Sequence, residues 1–111
     1  MFILIAGITG TVGRECALAS LERSYQVRGL GRTPENLDSR LQDELEGFVN
    51  IKDVYDISAL EGGVAGVDAI ICAYNSHPTA ILDGQLLLLR AAERARVKVN
   101  QPAHWLESLL A

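Results

Sequence analysis

The feature that most constrains this chain is its opening, MFILIAGITGTVGRECALASL, residues 1–21. The apolar run Phe2–Ala6 leads without a polar break into Gly7, Gly10 and Gly13, and apolar residues then recur at helical spacing through Val12, Cys16, Leu18 and Ala19. A continuous apolar run is expected of a strand covered on both faces, which places it inside a parallel sheet packed between helices. The glycines therefore stand where a buried strand turns into a helix. A helix N-terminus exposes unpaired N–H groups and a partial positive charge, so that corner attracts an anion such as a diphosphate. In such a turn the first glycine permits the bend, the second lets backbone approach the phosphates, and the third lets the helix pack on the strand. The spacing is G-x-x-G-x-x-G rather than G-x-G-x-x-G; its weight comes from the strand before it and the helix after it. The competing reading is a tight turn that binds nothing.

The remaining chain alternates in the same way. Strands are expected at residues 25–30, 48–51, 67–74 and 97–99, after the first at 2–6. The first helix is expected over residues 12–24. A second starts from a Thr33 cap with Pro34 at its first position, carries Leu37, Leu41 and Leu45 on one face, and stops at Gly47. A third covers 58–65, and a long fourth covers 76–96 with Ser76 or Thr79 as its cap. In the fourth, Leu82, Leu86, Leu89 and Ala92 are expected to face the sheet, with Leu87 on another side. Alternation of this kind implies right-handed crossovers. The expected fold is α/β and Rossmann-like, with three layers and a five-stranded parallel sheet in the order 3-2-1-4-5.

The end of the second strand bears on which dinucleotide such a turn would take. An NAD site places an acid there to hold the ribose 2′-hydroxyl. This chain reads Gly29-Leu30-Gly31-Arg32-Thr33, with no acid before Glu35. A guanidinium suits a 2′-phosphate, so Arg32, helped by Arg14, points to NADP over NAD. The cofactor-binding candidates are Gly7, Thr9, Gly10, Thr11, Val12, Gly13, Arg32, Asp53, Val54, Ala73 and Tyr74. Thr9 and Thr11 offer hydroxyls. Asp53, with Val54 after the third strand, either meets an adenine amino group or closes a turn. Ala73, Tyr74 and Asn75 follow the fourth strand, where the cofactor crosses the sheet; Tyr74 or Asn75 either contacts ribose or is simply part of a polar loop.

Other chemistry finds little support. The net charge is −4 and the ten Lys and Arg residues are scattered, so nucleic acid, which needs a basic stripe, is not an expected partner. No apolar run approaches the roughly 20 residues of a membrane span. Residues 2–6 lack a basic leader, and a cytoplasmic location is expected. Cys16 and Cys72 lie in apolar segments as buried thiols; with His77 and His104 they show no metal-ligand spacing. The only lysines are Lys52 and Lys98, and neither stands four residues after Tyr25, Tyr55 or Tyr74. The Tyr-x-x-x-Lys pair that would lower a tyrosine pKa for proton transfer is therefore absent. No catalytic residue is assigned; His77 is either an acid beside the nicotinamide or a loop residue.

Taken together, AGITGTVGRECALASL, VRGLGRTPENL, the Asp53 junction and GVDAIICAY…LLRAAERARVKV resemble the NmrA-like, isoflavone-reductase-like group of atypical short-chain dehydrogenases/reductases over residues 2–99. The resemblance implies an NAD(P)-binding Rossmann fold in which some members reduce substrates and others sense NADP without turning it over. Gly7, Gly10, Gly13 and Arg32 match the family's cofactor positions, and Thr11, Val12 and Tyr74 match them less specifically. Family members are longer, and their second half supplies most of the substrate pocket and the catalytic Tyr or Lys where one is used. Residues 1–99 are thus expected to be the cofactor-binding unit. Residues 100–111, NQPAHWLESLLA, depart from the pattern, as in a truncated or alternatively spliced product, with a short helix over 103–110.

The leading expectation is an NADP-preferring binding module, regulatory or sensing, without complete catalytic machinery. The alternatives are an NADPH-dependent oxidoreductase acting on a small organic carbonyl, and a cofactor-free interaction fragment. Self-association through an exposed fifth strand or the leucine-rich helix is also expected.

Overall fold

Strand β1 (Phe2–Ala6) is central in a parallel sheet, with β2 (Gln26–Gly31) and then β3 (Gly47–Asn50) on one side and β4 (Ala69–Cys72) on the other. A further strand, β5 (Val99–Pro102), pairs with β4 at the outer edge. The computed structural model describes residues 1–53, 55–74, 78–97 and 99–102. Registry is direct: Ile3 lies opposite Val27 and Ala69, and Ala6 opposite Leu30 and Cys72. The C-terminal ends of β1, β2 and β4 therefore finish at one level, and the connections leaving them share one rim of the sheet.

Alternation along β1 divides the core in two. Leu4 and Ala6 pack with Leu30, Ile70 and Cys72 beneath α3 (Ile57–Val64) and α4 (Pro78–Arg94), which contribute Leu60, Val64, Leu88, Ala91 and Ala92. Ile3 and Ile5 pack with Val27 and Ile71 beneath α1 (Thr11–Glu22) and α2 (Ser39–Gln42), which contribute Cys16, Ala17 and Leu41. Both faces of β1 are buried, as its unbroken apolar run requires. Among the described residues no helix is long and apolar enough to cross a membrane.

Three expectations are corrected. The helix expected from Thr33 to Gly47 is broken into a 3-10 turn, Pro34–Asn36, and the single turn α2. Leu37 is extended between them at φ −66° and ψ 132°, and the Asp38 carboxylate takes the Arg40 N–H, starting the helix afresh. A short acceptor offering the backbone a local bond is what makes Asp favour caps over helix interiors. In α4 the sheet-facing residues are Leu88, Ala91 and Ala92, whereas Leu82, Leu86 and Leu89 are 59%, 49% and 40% exposed. The two apolar faces have equal period, and the packing of Leu88, Ala91 and Ala92 with Leu4, Leu60 and Ile70 decides between them. The last strand lies at Val99–Pro102 rather than 97–99. Ser76, the alternative cap for α4, and the helix expected over 103–110 fall outside the described residues.

One side chain ties the base of the sheet together. Arg28 on β2 donates through Nη1 to the carbonyls of Gly62, Gly63 and Ala65 at 3.2, 2.9 and 2.8 Å, closing the C-terminal end of α3. Its Nε and Nη2 grip both Glu46 oxygens at 2.9 and 3.0 Å, and its guanidinium lies 4.7 Å from the centre of the Phe2 ring. Replacing Arg28 by Met should cost about 2–3 kcal/mol, because several acceptors lose a charge-assisted donor together. The Arg28 hydrogen bonds hold the Glu46 carboxyl below its ordinary value. A lowered folded pKa contributes stability above the unfolded value and loses it as pH falls through the folded one. Urea melts of wild type and Glu46→Gln should therefore differ at pH 7 and converge as the acid range is entered; a constant gap would contradict this pairing.

Candidate dinucleotide-binding site

The turn after β1 is built from backbone. Gly7 adopts φ +80°, its N–H donates to the Leu30 carbonyl at 2.8 Å, and its carbonyl accepts the Gly10 N–H at 3.1 Å. Gly10 caps α1 at φ −83° and ψ 171°, no side chain accepts from the exposed amides, and no acid occupies the first turn. The first bond of the helix runs from the Arg14 N–H to the Gly10 carbonyl at 2.9 Å. Among the described residues the N–H groups of Thr11, Val12 and Gly13 find no acceptor, leaving a cluster of donors with the helix dipole behind it.

The three glycines differ in what a side chain would meet. A Cβ on Gly7 would stand 2.5 Å from the Ala73 carbonyl oxygen, at a φ that L-residues rarely adopt. A Cβ on Gly13 would press into the Gly7 carbonyl oxygen and lie 2.8 Å from the Ile8 Cα. Gly7 lets β1 pass close to the chain leaving β4, and Gly13 lets α1 lie against the turn. Gly10 is different: its backbone is open to any residue, and its Cβ would meet only the Gly7 oxygen at 3.5 Å, an ordinary contact. The protein's own packing does not require glycine at position 10, the residue that caps the helix bearing the free amides.

The other candidates surround this corner unevenly. Thr9 is half-buried, with its hydroxyl 3.6 Å from where a Cβ on Gly31 would be, so the turn abuts the end of β2. Thr11 is exposed at the start of α1, while Val12 packs onto the core on the α1 side. Arg32 leaves β2 exposed and has no hydrogen-bond or ion-pair partner among the described residues. Arg14 brings its Nη2 within 3.3 Å of Glu15 and its Nη1 within 3.9 Å of Asp38, while its buried Nε has no acceptor. Asp38 and Arg40, which sequence reasoning did not single out for the site, thus join it through Arg14. Their signal was the Asp-x-Arg cap spacing, which reads equally as a plain helix start.

Asp53 is exposed, and one carboxylate oxygen accepts the Tyr55 N–H at 2.8 Å, so it closes a turn while its second oxygen has no partner among the described residues. Val54 lies outside the described residues, as do Asn75 and His77. Ala73 is buried beside Gly7, and Tyr74 packs against the core on the α3–α4 side with its hydroxyl buried and without a partner among the described residues. Burial drives the Tyr74 phenol well above its ordinary value and pushes the Cys72 thiol up to about 11. Neither is an ionised nucleophile or a ready proton carrier at neutral pH. Away from the turn, Tyr55 donates to Asp83 at 2.6 Å, joining the loop after β3 to α4.

A diphosphate-containing ligand fits these residues on three observations: free α1 amides, an open approach over Gly10, and the partnerless donors of Arg14 and Arg32. Comparison with known proteins places the chain in a family. Residues 7–99 match the family described as NAD(P)H-binding. The uncharacterized oxidoreductase C513.07 of Schizosaccharomyces pombe is 30% identical over 96% of this chain and 34% of its own length. The photosystem II assembly factor Ycf39 of Trieres chinensis is 30% identical over 88% of this chain and 32% of its own. The chain thus spans about a third of the length of these curated relatives. Among solved structures, the oxidoreductase ylbE of Lactococcus lactis superimposes with a TM-score of 0.75 at 26% identity, over 92% of this chain and 47% of that one. A short-chain dehydrogenase/reductase of Veillonella parvula, in complex with NADP, has a TM-score of 0.76 at 12% identity over 91% of this chain and 46% of that one, a likeness of fold.

Proposed function

The chain belongs to the NAD(P)H-binding family, and from that premise we propose that it holds NADP(H) in preference to NAD(H) without completing a hydride-transfer site from the residues described here. The observation that carries the proposal is position 10, where glycine serves no contact within the protein and opens a path to the amides of Thr11, Val12 and Gly13. These amides would bind the diphosphate, and Gly7 and Gly13 hold them in place. Arg32 would meet the 2′-phosphate, for which a planar guanidinium with unused donors is well suited. The Asp53 oxygen without a partner among the described residues supports the adenine reading beside its turn-closing role. When bound, the nicotinamide supplies hydride chemistry. The Tyr-x-x-x-Lys pair is absent, and Tyr74 and Cys72 are held neutral by burial, which supports retention of the cofactor over turnover.

Titration calorimetry with NADPH and NADH tests this reading. NADPH should bind more tightly, and Arg32→Gln should weaken NADPH by about tenfold, near 1.4 kcal/mol, while changing NADH little. Equal affinities in the wild type, unchanged by the substitution, contradict the preference. An oxidoreductase acting on a small carbonyl compound is the second reading, favoured by the relative and the solved structure that carry that name. Steady consumption of NADPH with a panel of carbonyl compounds would select it.

A further inference from the structure

We propose that Asp38 sets the nucleotide preference of this site by presenting a fixed carboxylate to Arg14, where it opposes a 2′-phosphate and leaves a plain ribose untouched. The inference rests on the dinucleotide reading above and adds a residue to it. Arg14 follows Gly13 on the first turn of α1 and reaches toward Asp38 in the segment that follows β2. Its guanidinium is loosely engaged: Nη2 is 3.3 Å from exposed Glu15, Nη1 is 3.9 Å from Asp38, and buried Nε has no acceptor. Asp38 is held firmly by other groups. Its Oδ1 accepts the Arg40 N–H at 2.9 Å and Nε at 3.3 Å, its Oδ2 accepts Nη2 at 3.2 Å, and the side chain is only 16% exposed. Arg14 can therefore turn toward an incoming anion while Asp38, tied to the α2 cap, stays where it is.

A 2′-phosphate reaching between Arg32 and Arg14 would gain two guanidinium groups and meet the Asp38 carboxylate, whose charge the exposed Arg40 offsets only in part. Like charges a few ångströms apart near a surface oppose each other by an amount that salt reduces. A ribose bearing only hydroxyls carries no charge for Asp38 to repel. Asp38 thus limits the NADP preference that Arg32 and Arg14 create.

Asp38→Asn removes the charge and keeps the cap, since Asn serves as well as Asp at that position. NADPH should bind about 3- to 10-fold more tightly to the variant, NADH should stay within about twofold, and the gain should shrink as salt is raised. The pair 2′,5′-ADP and 5′-ADP should reproduce the split, which ties it to the 2′-phosphate. Thermal melting of the free protein, with Asp38→Ser as a second cap-preserving variant, separates folding from binding. An unchanged NADPH/NADH ratio overturns the inference. So does a lower ratio, which would make Asp38 a support for Arg14 instead. Wild-type protein that binds neither dinucleotide overturns the underlying reading and this inference with it. Binding that is weakened in Gly10→Ala, with a ratio unmoved in Asp38→Asn, overturns the inference alone.

Discussion

Gly10→Ala should fold like the wild type and bind its dinucleotide more weakly. The backbone at position 10 is extended and acceptable to any residue, and the added methyl meets only the Gly7 oxygen at 3.5 Å. Its effect on stability should stay within about 1 kcal/mol, as for substitutions that create no clash. The same methyl would stand at the cap of α1, where a diphosphate bound to the free amides has to come close to the backbone. Losing that close approach should weaken NADPH at least tenfold, and up to about a hundredfold, or roughly 1.4–2.8 kcal/mol. Gly10→Asp, which adds a negative charge, should abolish binding. Calorimetric titration beside a thermal melt checks both halves. Full affinity in Gly10→Ala would mean that no ligand uses this approach.

Gly13→Ala should do the opposite and break the protein before binding can be measured. Its methyl would overlap the Gly7 carbonyl and crowd the Ile8 Cα, both of them backbone in a turn fixed by the Gly7 N–H bond to Leu30. Relief requires α1 to back away from β1, which would loosen Cys16 and Ala17 from Ile3, Ile5 and Val27 in the core beneath α1. Overpacking of this kind against rigid backbone should cost about 3 kcal/mol or more. In a domain of this size each kcal/mol lowers Tm by about 4–8 °C, so the melt should fall by more than about 12 °C. A Gly13→Ala protein that melts with the wild type would show that α1 does not lie against the turn as described. The contrast between positions 10 and 13 is informative because both are glycines of one motif and their demands come from different partners.

The opening strand, its glycines and the helix that follows were legible in the sequence, because a run buried on both faces and a turn needing small residues leave few alternatives. The alternation of strands and helices was legible for the same reason and placed β3, β2, β1 and β4 in their order. The helix after β2 was misread: Leu37, Leu41 and Leu45 keep helical spacing, but Asp38 interrupts them by taking a backbone N–H for itself. The face of α4 was misread because the Leu82, Leu86 and Leu89 stripe has the same period as the face containing Leu88, Ala91 and Ala92, and only the partners met on folding decide between them. The Arg28 clamp was not legible, since it joins residues 28, 46, 62, 63 and 65, which meet only after folding. Asp38 was invisible as a site residue for a related reason, as its role depends on Arg14 arriving from another helix.

The proposed seat of the dinucleotide diphosphate is the first amides of α1. It is tested most directly by following backbone amide resonances of the labelled protein during titration with NADPH. Saturable shifts are expected at Gly10, Thr11, Val12 and Gly13, with Arg32 moving for NADPH and much less for NADH. Shifts confined to other parts of the molecule, with those glycine-turn amides unmoved at saturation, would contradict it.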